Sequence, residues 1–265
     1  MSRGEYSTAS DRKGAFMFPV LFKFKFITIA GFGIMLGIGF YLAFLLFERE
    51  MTARGKGAVL ANQILLAIVP SAIVGAKIFH LIENPSVLQH DPLKAIFSGA
   101  GLSAYGGFIL CFITSAIVIR INRESILEVF DTVSAPMALG YAIGRIGCHV
   151  AGDGCFGIKT SSFWGISYPN GIVPTDSYVF PTPLFESLVS FIIFFIIMRL
   201  RKRELTPGYL FFTYLILSGI PRFFVEYIRL NPLTSLGFTQ AQIIAVFSVL
   251  AGATGLLYIK NNRCT

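Results

Sequence analysis

Charge is scarce in this chain. Only 14% of its 265 residues are Asp, Glu, Lys or Arg, where a soluble domain carries about 25%. A water-soluble fold of this length could not clothe its surface with so few polar groups. Histidine is also rare: His80, His90 and His149 are the only three, and they lack metal-ligand spacing. The four cysteines, Cys111, Cys148, Cys155 and Cys264, form neither a CxxC pair nor a disulfide framework. The first apolar run is not followed by a small-residue cleavage site, so it reads as a retained span rather than a signal peptide. There is no internal repeat of the kind that builds inverted-repeat transporters, and no polar stretch long enough for a separate soluble domain.

What the chain has in abundance is apolar surface. Apolar residues make up 54% of it, and mean hydropathy is +0.70. Lipid is the solvent that suits this composition. The net charge of +8 would suggest nucleic acid in a soluble protein. In a membrane protein it points to basic cytoplasmic loops instead, and no nucleic-acid partner is expected.

Seven apolar runs approach the roughly 20 residues needed to cross a bilayer as a helix. They cover 26–47, 57–76, 95–119, 126–144, 184–198, 208–228 and 235–259. The second contains Pro70, and the fourth is weakened by Glu128 and Asp131 near its start. The fold expected is an all-α integral membrane protein, one membrane-embedded domain over 1–265. It has seven transmembrane helices and a small outer-face head, 148–183, between spans four and five. The head carries Gly152, Gly154, Gly157, Gly165 and Gly171 with Pro169, Pro174 and Pro181, which is turn chemistry. Its Trp164, Phe163 and Tyr168 suit the water–lipid boundary.

With seven spans, alternate junctions share a side of the membrane. One side collects Arg49, Arg54, Lys56, Arg120, Arg123, Arg199, Arg201, Lys202, Arg203, Lys260 and Arg263, half of the 22 basic residues. That side is expected to be cytoplasmic, with the C-terminus there and the N-terminus outside. The N-terminal segment, with Arg3, Arg12, Lys13, Lys23 and Lys25, is the discordant piece.

Charges inside spans are costly, and each is a functional candidate. Arg145 closes the fourth span between Gly144 and Gly147. It reads either as a phosphate clamp or as an interfacial arginine snorkelling to headgroups. Arg222, Glu226 and Arg229, spaced by four and three, fall on one helix face. One carboxylate between two guanidiniums leaves a net positive charge for an anion; the alternative is a structural ion network. Glu186, at the entrance to the fifth span, reads as a base, as an orienter of an arginine, or as an interfacial carboxylate at a helix N-terminus. The run from Ser98 to Gly107 places glycines, including Gly106 and Gly107, around Tyr105. It reads equally as close helix packing and as a segment exposing Tyr105 to a ligand. His149 is the histidine near Arg145, either an acceptor for a thiol proton or a loop residue without a chemical task. Cys148 and Cys155 read as free thiols or as a pair in an oxidising compartment. Together these residues suit an anionic lipid headgroup without naming a reaction.

The motifs, taken in order from Phe18 to Ala251, resemble the prolipoprotein diacylglyceryl transferase family. They are Gly33-Ile34-Met35-Leu36-Gly37-Ile38-Gly39-Phe40, Gly75-Ala76-Lys77-Ile78-Phe79 and Gly101-Leu102-Ser103-Ala104-Tyr105-Gly106-Gly107. Gly144-Arg145-Ile146-Gly147-Cys148 follows, then Gly152-Asp153-Gly154, Pro181-Thr182-Pro183-Leu184-Phe185-Glu186 and Arg222-Phe223-Phe224-Val225-Glu226-Tyr227-Ile228-Arg229, with Gln240 or Gln242 opening the last helix. The resemblance implies a bacterial inner-membrane enzyme whose head is periplasmic. Such an enzyme moves the diacylglyceryl group of phosphatidylglycerol to the lipobox cysteine of a prolipoprotein signal peptide. Glycerol 1-phosphate leaves, and neither metal nor soluble cofactor is implied. By the same resemblance Arg145 and Arg222 bind phosphate, Arg229 supports them, Glu186 and Glu226 orient them, and Gly154 lets the headgroup approach.

Four departures stand out. Tyr105 occupies a position where many members have histidine, Cys148 replaces an asparagine, Phe32 a tyrosine, and Phe180 the histidine before Pro181. A tyrosine of ordinary pKa near 10 is a poor base at neutral pH. This leaves Tyr105 to orient substrate, and the arginine field with His149 to activate the thiol. The rival readings are a divergent member with another acceptor or no activity, and a seven-span transporter. Membranes carrying Tyr105→Phe or His149→Ala are expected to lose transferase activity; full activity in either would remove that residue from the mechanism.

Overall fold

The computed structural model describes residues 17–18, 20–24, 27–85, 103–234 and 237–262. A hairpin comes first, of β1 (Val20–Phe24) and β2 (Ile27–Ala30). Then come α1 (Gly31–Ala53), α2 (Gly57–Glu83), α3 (Ala104–Ile121) and α4 (Ile126–Ala151). A second hairpin, β3 (Ile166–Tyr168) with β4 (Thr175–Val179), precedes α5 (Thr182–Leu200). The chain continues through α6 (Tyr209–Val225), the 3₁₀ turn Glu226–Ile228, and α7 (Gln240–Asn261).

Six of these helical segments are long and apolar enough to cross a membrane, and the apolar stretch Gly106–Ile121 of α3 is shorter. Large apolar side chains face outward, with Leu66 74%, Phe108 71% and Ile121 74% exposed, while Glu186 and Glu226 are buried. This is the reverse of a water-soluble surface. The protein is a multi-pass α-helical membrane protein.

The chain divides after Phe44 and after Val133 into two compact units. In the unit Leu45–Val133, α2 and α3 meet through small residues. A Cβ on Gly106 would lie 2.2 Å from the Gly75 carbonyl oxygen, and one on Gly107 would lie 3.0 Å from that of Ala72. These glycines therefore serve helix packing of the kind seen between membrane helices. Ser71 Oγ donates to Thr114 Oγ1 at 3.0 Å across the same seam. Lys56, in the α1–α2 turn, donates to Glu124 and lies 2.6 Å from Glu128. Burial opposes its charge, but the hydrogen bonds and charges of the two carboxylates outweigh that and raise its pKa.

In the other unit, α1 meets α4. A Cβ on Gly39 would lie 3.2 Å from the Gly140 carbonyl oxygen, and one on Gly147 would lie 2.9 Å from Met35 Cβ. Ser187 Oγ of α5 donates to the Ala142 carbonyl of α4 at 2.9 Å. Gly219, Gly252 and Gly255 let α6 and α7 approach; a Cβ on Gly252 would lie 2.6 Å from the Phe212 carbonyl oxygen. The head packs Phe156, Tyr168 and Val179 into a small core.

The expected boundaries shift in instructive places. The first helix begins at Gly31 rather than residue 26, because Ile27–Ala30 pairs as a strand with Val20–Phe24. The fourth runs past Gly144 to Ala151, so Arg145, Cys148 and His149 ride on its last turns rather than closing a span or lying in the head loop. The glycines beside Arg145 read as places where other backbone or a ligand can come close, and at Gly147 it is α1 that does so. The head contains a hairpin as well as turns. The first part of the expected third span, up to Leu102, lies outside the described residues, as does the segment 1–16.

Helix α7 opens on a capping box. Thr239 Oγ1 accepts from the Gln242 backbone N–H at 3.2 Å, and the Gln242 side chain accepts from the Thr239 N–H at 3.0 Å. Thr239→Ala is expected to destabilise the folded protein by about 1 kcal/mol, read as a lower unfolding midpoint in mixed micelles with unchanged helix content in the native state.

Candidate active site

Glu186 sits in the first turns of α5. Its helix starts cleanly because Pro183 falls where no intrahelical N–H is required. The carboxylate is 4% exposed and is shared by three arginines. Arg145 Nε, from α4, lies 3.2 Å from Oε2. Arg222 Nη1, from α6, donates to Oε1. Arg229 Nη1, just beyond the 3₁₀ turn, lies 3.4 Å from Oε2. Tyr141 of α4 adds a hydroxyl donated to Oε1 at 3.1 Å. The Arg145 guanidinium also rests over the Tyr141 ring, 4.8 Å from its centroid, a cation–π contact.

Glu226 is the second carboxylate and is wholly buried. Arg222 Nη2 lies 3.3 Å from its Oε2, and Arg229 Nε lies 4.0 Å away. Asn231 donates to its other oxygen. Arg222 and Arg229 thus both reach Glu226, as the spacing of four and three suggests, although the α-helix gives way to a 3₁₀ turn at Glu226.

Three guanidiniums and two carboxylates leave one positive charge. Burying either sign alone would cost several kcal/mol per ion; the cluster lowers that cost by pairing. Arg222 keeps 26% and Arg145 15% of its side chain exposed, against 9% for Arg229. Free donors on the two more open guanidiniums can meet an anion, whose developing charge fixed arginines stabilise.

Backbone contacts with the head place Arg229. The Ile158 N–H donates to the Ile228 carbonyl at 2.8 Å, and Gly157 forms a β-bridge with Arg229. A Cβ on Gly157 would lie 2.4 Å from the Ile228 oxygen, so only glycine permits this approach. Thr182, at the entrance to α5, donates to the Cys155 carbonyl at 2.6 Å and ties the head to that helix.

His149 and Gly154 are engaged within the head region. His149 Nδ1 shares a 2.8 Å hydrogen bond with the Tyr168 hydroxyl, and the two rings meet edge to face. Burial and the charge of Asp153 push the Tyr168 hydroxyl above its ordinary pKa, so it remains protonated. Gly154, at φ +87°, occupies the left-handed region and abuts Val173. Tyr105 lies in the first turn of α3, with its side chain outside the described set, and Gly106 and Gly107 belong to the α2–α3 seam.

The sequence reading missed Tyr141 and Asn231. Tyr141 had a signal, standing four residues before Arg145 on the same helix face. Asn231 had none. A further group also went unread. One side-chain ligand atom from each of Cys148, Asp153 and Cys155 lies within 4.8 Å of the other two, and Arg145 Nη1 is 4.0 Å from Cys148 Sγ. The hydrogen bond with Cys148 draws the Cys155 thiol down to about 7, against the opposing effect of burial. Both cysteines are free thiols.

The sequence profile of the prolipoprotein diacylglyceryl transferase family matches residues 19–258. The phosphatidylglycerol–prolipoprotein diacylglyceryl transferase 2 of Clostridium perfringens is 33% identical over 240 residues, covering 89% of this chain and 92% of its own. The phosphatidylglycerol–prolipoprotein diacylglyceryl transferase of Leptospira interrogans is 29% identical, with 92% and 93% covered. Its namesake in Lysinibacillus sphaericus is 29% identical, with 91% of each chain covered.

Glu186→Gln would leave three guanidiniums around a neutral amide. Unfolding free energy in mixed micelles is expected to fall by about 3–5 kcal/mol. An unchanged midpoint would show that the charge of Glu186 does not hold the cluster.

Proposed function

The chain belongs to the prolipoprotein diacylglyceryl transferase family, and from that premise we propose that it moves the diacylglyceryl group of phosphatidylglycerol onto the lipobox cysteine thiol of a prolipoprotein. The observation that carries this reading is the Arg145–Glu186–Arg222–Glu226–Arg229 cluster, with its surplus positive charge and its two partly open guanidiniums. In the reaction a carbon–sulfur bond forms as the carbon–oxygen bond to phosphate breaks. The leaving group, glycerol 1-phosphate, carries away the electron pair as negative charge on phosphate oxygen.

Arg145 and Arg222 bind the phosphate, with the fork of donors that guanidinium offers to its oxygens. Arg229 is the least open of the three and supports them. Glu186 and Glu226 hold the guanidiniums in place, so little reorganisation is needed when charge develops. A thiolate is the effective nucleophile, and the arginine field favours it, with His149 taking the thiol proton and Tyr105 orienting the substrate. The working site is the bacterial inner membrane. The basic residues at the α1–α2, α3–α4 and α5–α6 junctions and beyond α7 support a cytoplasmic C-terminus, an N-terminus outside, and a periplasmic head.

The test is complementation of a bacterial strain depleted of its own diacylglyceryl transferase. The wild-type chain should restore growth and thioether formation on a lipobox cysteine. Arg145→Ala and Arg222→Ala should each lower transfer by about 100-fold or more, the usual cost of losing one donor to a developing oxyanion. Failure of a well-expressed wild-type chain would favour a divergent member with another acceptor or none.

A further inference from the structure

Cys148 comes from the last turn of α4, and Asp153 and Cys155 from the loop that follows. Gly152 and Gly154, at φ +59° and +87°, turn this loop back on the helix end. Asp153 Oδ1 accepts from the Cys155 N–H at 3.0 Å, which fixes the carboxyl within the loop. Thr182 holds the Cys155 carbonyl from the α5 side. Two thiol sulfurs and a carboxylate oxygen are thereby brought within 4.8 Å of one another, with Cys148 buried and the other two half-buried, and are braced from two helices. The transfer proposed above assigns no role to these three side chains.

We propose that Cys148, Asp153 and Cys155 form a binding site for one thiophilic divalent cation of the zinc class. Such an ion holds thiolate sulfur at about 2.3 Å and carboxylate oxygen at about 2.0–2.2 Å, which puts two sulfurs about 3.8 Å apart on a tetrahedron. Closing the trio onto an ion therefore takes movements of roughly 1 Å or less from the observed separations. Two sulfurs in the set select zinc, or cobalt(II) as its substitute, over magnesium and calcium, which prefer oxygen alone. Binding exchanges two thiol protons for two metal–sulfur bonds and releases both protons to solvent; Asp153 joins as a carboxylate. The loaded group carries one net negative charge. Arg145, 4.0 Å from Cys148 Sγ, and Arg229, whose charge acts on Cys155, offset it. The three protein ligands leave a fourth position for water or another small donor. The site stands independently of the transfer reading, and its test reads metal rather than activity.

The experiment uses the full-length, tag-free protein in detergent micelles, reduced and freed of metal by a chelator. Cobalt(II) is titrated as the probe. The expected result is one cobalt per chain, a thiolate-to-cobalt charge-transfer band, displacement by zinc, and release of protons on binding. Cys148→Ser and Cys155→Ser should each weaken binding by about tenfold or more, and Cys111→Ser should leave it unchanged. Because a variant could misfold, the wild type is also alkylated with and without zinc; protection should fall on Cys148 and Cys155 by mass spectrometry. The proposal is overturned if the folded, fully reduced wild type gives no charge-transfer band. It is equally overturned if a folded double variant, Cys148→Ser with Cys155→Ser, binds cobalt as tightly as the wild type. A third overturning result is a pair that closes to a disulfide and, once reduced again, takes up no cobalt.

Discussion

The buried carboxylate of Glu186 answers to three guanidiniums that arrive from different parts of the chain. Arg145 comes from the end of α4, Arg222 from α6, and Arg229 from the segment after the 3₁₀ turn. In a low-dielectric interior none of these charges is tolerable alone. Their mutual pairing therefore fixes where the three segments meet. Glu226 repeats the device on a smaller scale between Arg222 and Arg229. The helices around the cluster pack through glycine contacts and side chain–backbone hydrogen bonds, such as Ser187 to Ala142, which carry no charge. Packing brings α4, α5 and α6 together, and the ion cluster sets what chemistry their ends can perform.

The head has a mechanical part in this arrangement. It contributes main chain to the cluster's surroundings: the Ile158 N–H holds the Ile228 carbonyl, and the Gly157–Arg229 bridge continues the pairing. Its core, Tyr168 stacked on Phe156 with Val179 against them, keeps that edge in place. His149 joins the same core through Tyr168, so one residue links the last turn of α4 to the head.

Much of this was legible from residue order. Apolar runs predicted the helices, because lipid demands them nearly without interruption, and the charges inside those runs predicted the cluster. Boundaries were less legible where glycine carries two meanings. The apolar run ends near Gly144, yet the helix continues to Ala151, and Gly147 serves the close approach of α1. Gly106 and Gly107 were open between packing and ligand approach, and their contacts with Gly75 and Ala72 are packing. The meeting of Glu186 with Arg145 is a contact between helices, which periodicity along one helix does not encode. The same holds for the Cys148–Asp153–Cys155 group, where two left-handed glycines fold the loop back.

The Gly157–Ile228 contact has a consequence for how the protein can change over evolutionary time. Arg229 is seated by its main chain, through hydrogen bonds that ignore what its side chain is. Position 229 is thus a socket whose location is inherited from the head, while its side chain answers separately to Glu186 and Glu226. A lineage that exchanged the arginine would keep the main-chain seat but would have to change the buried carboxylates Glu186 and Glu226 along with it. At position 157 no such freedom exists, since any side chain would collide with the carbonyl it is meant to approach. The two positions are therefore constrained differently: the arginine can change only in concert with its carboxylates, and the glycine not at all.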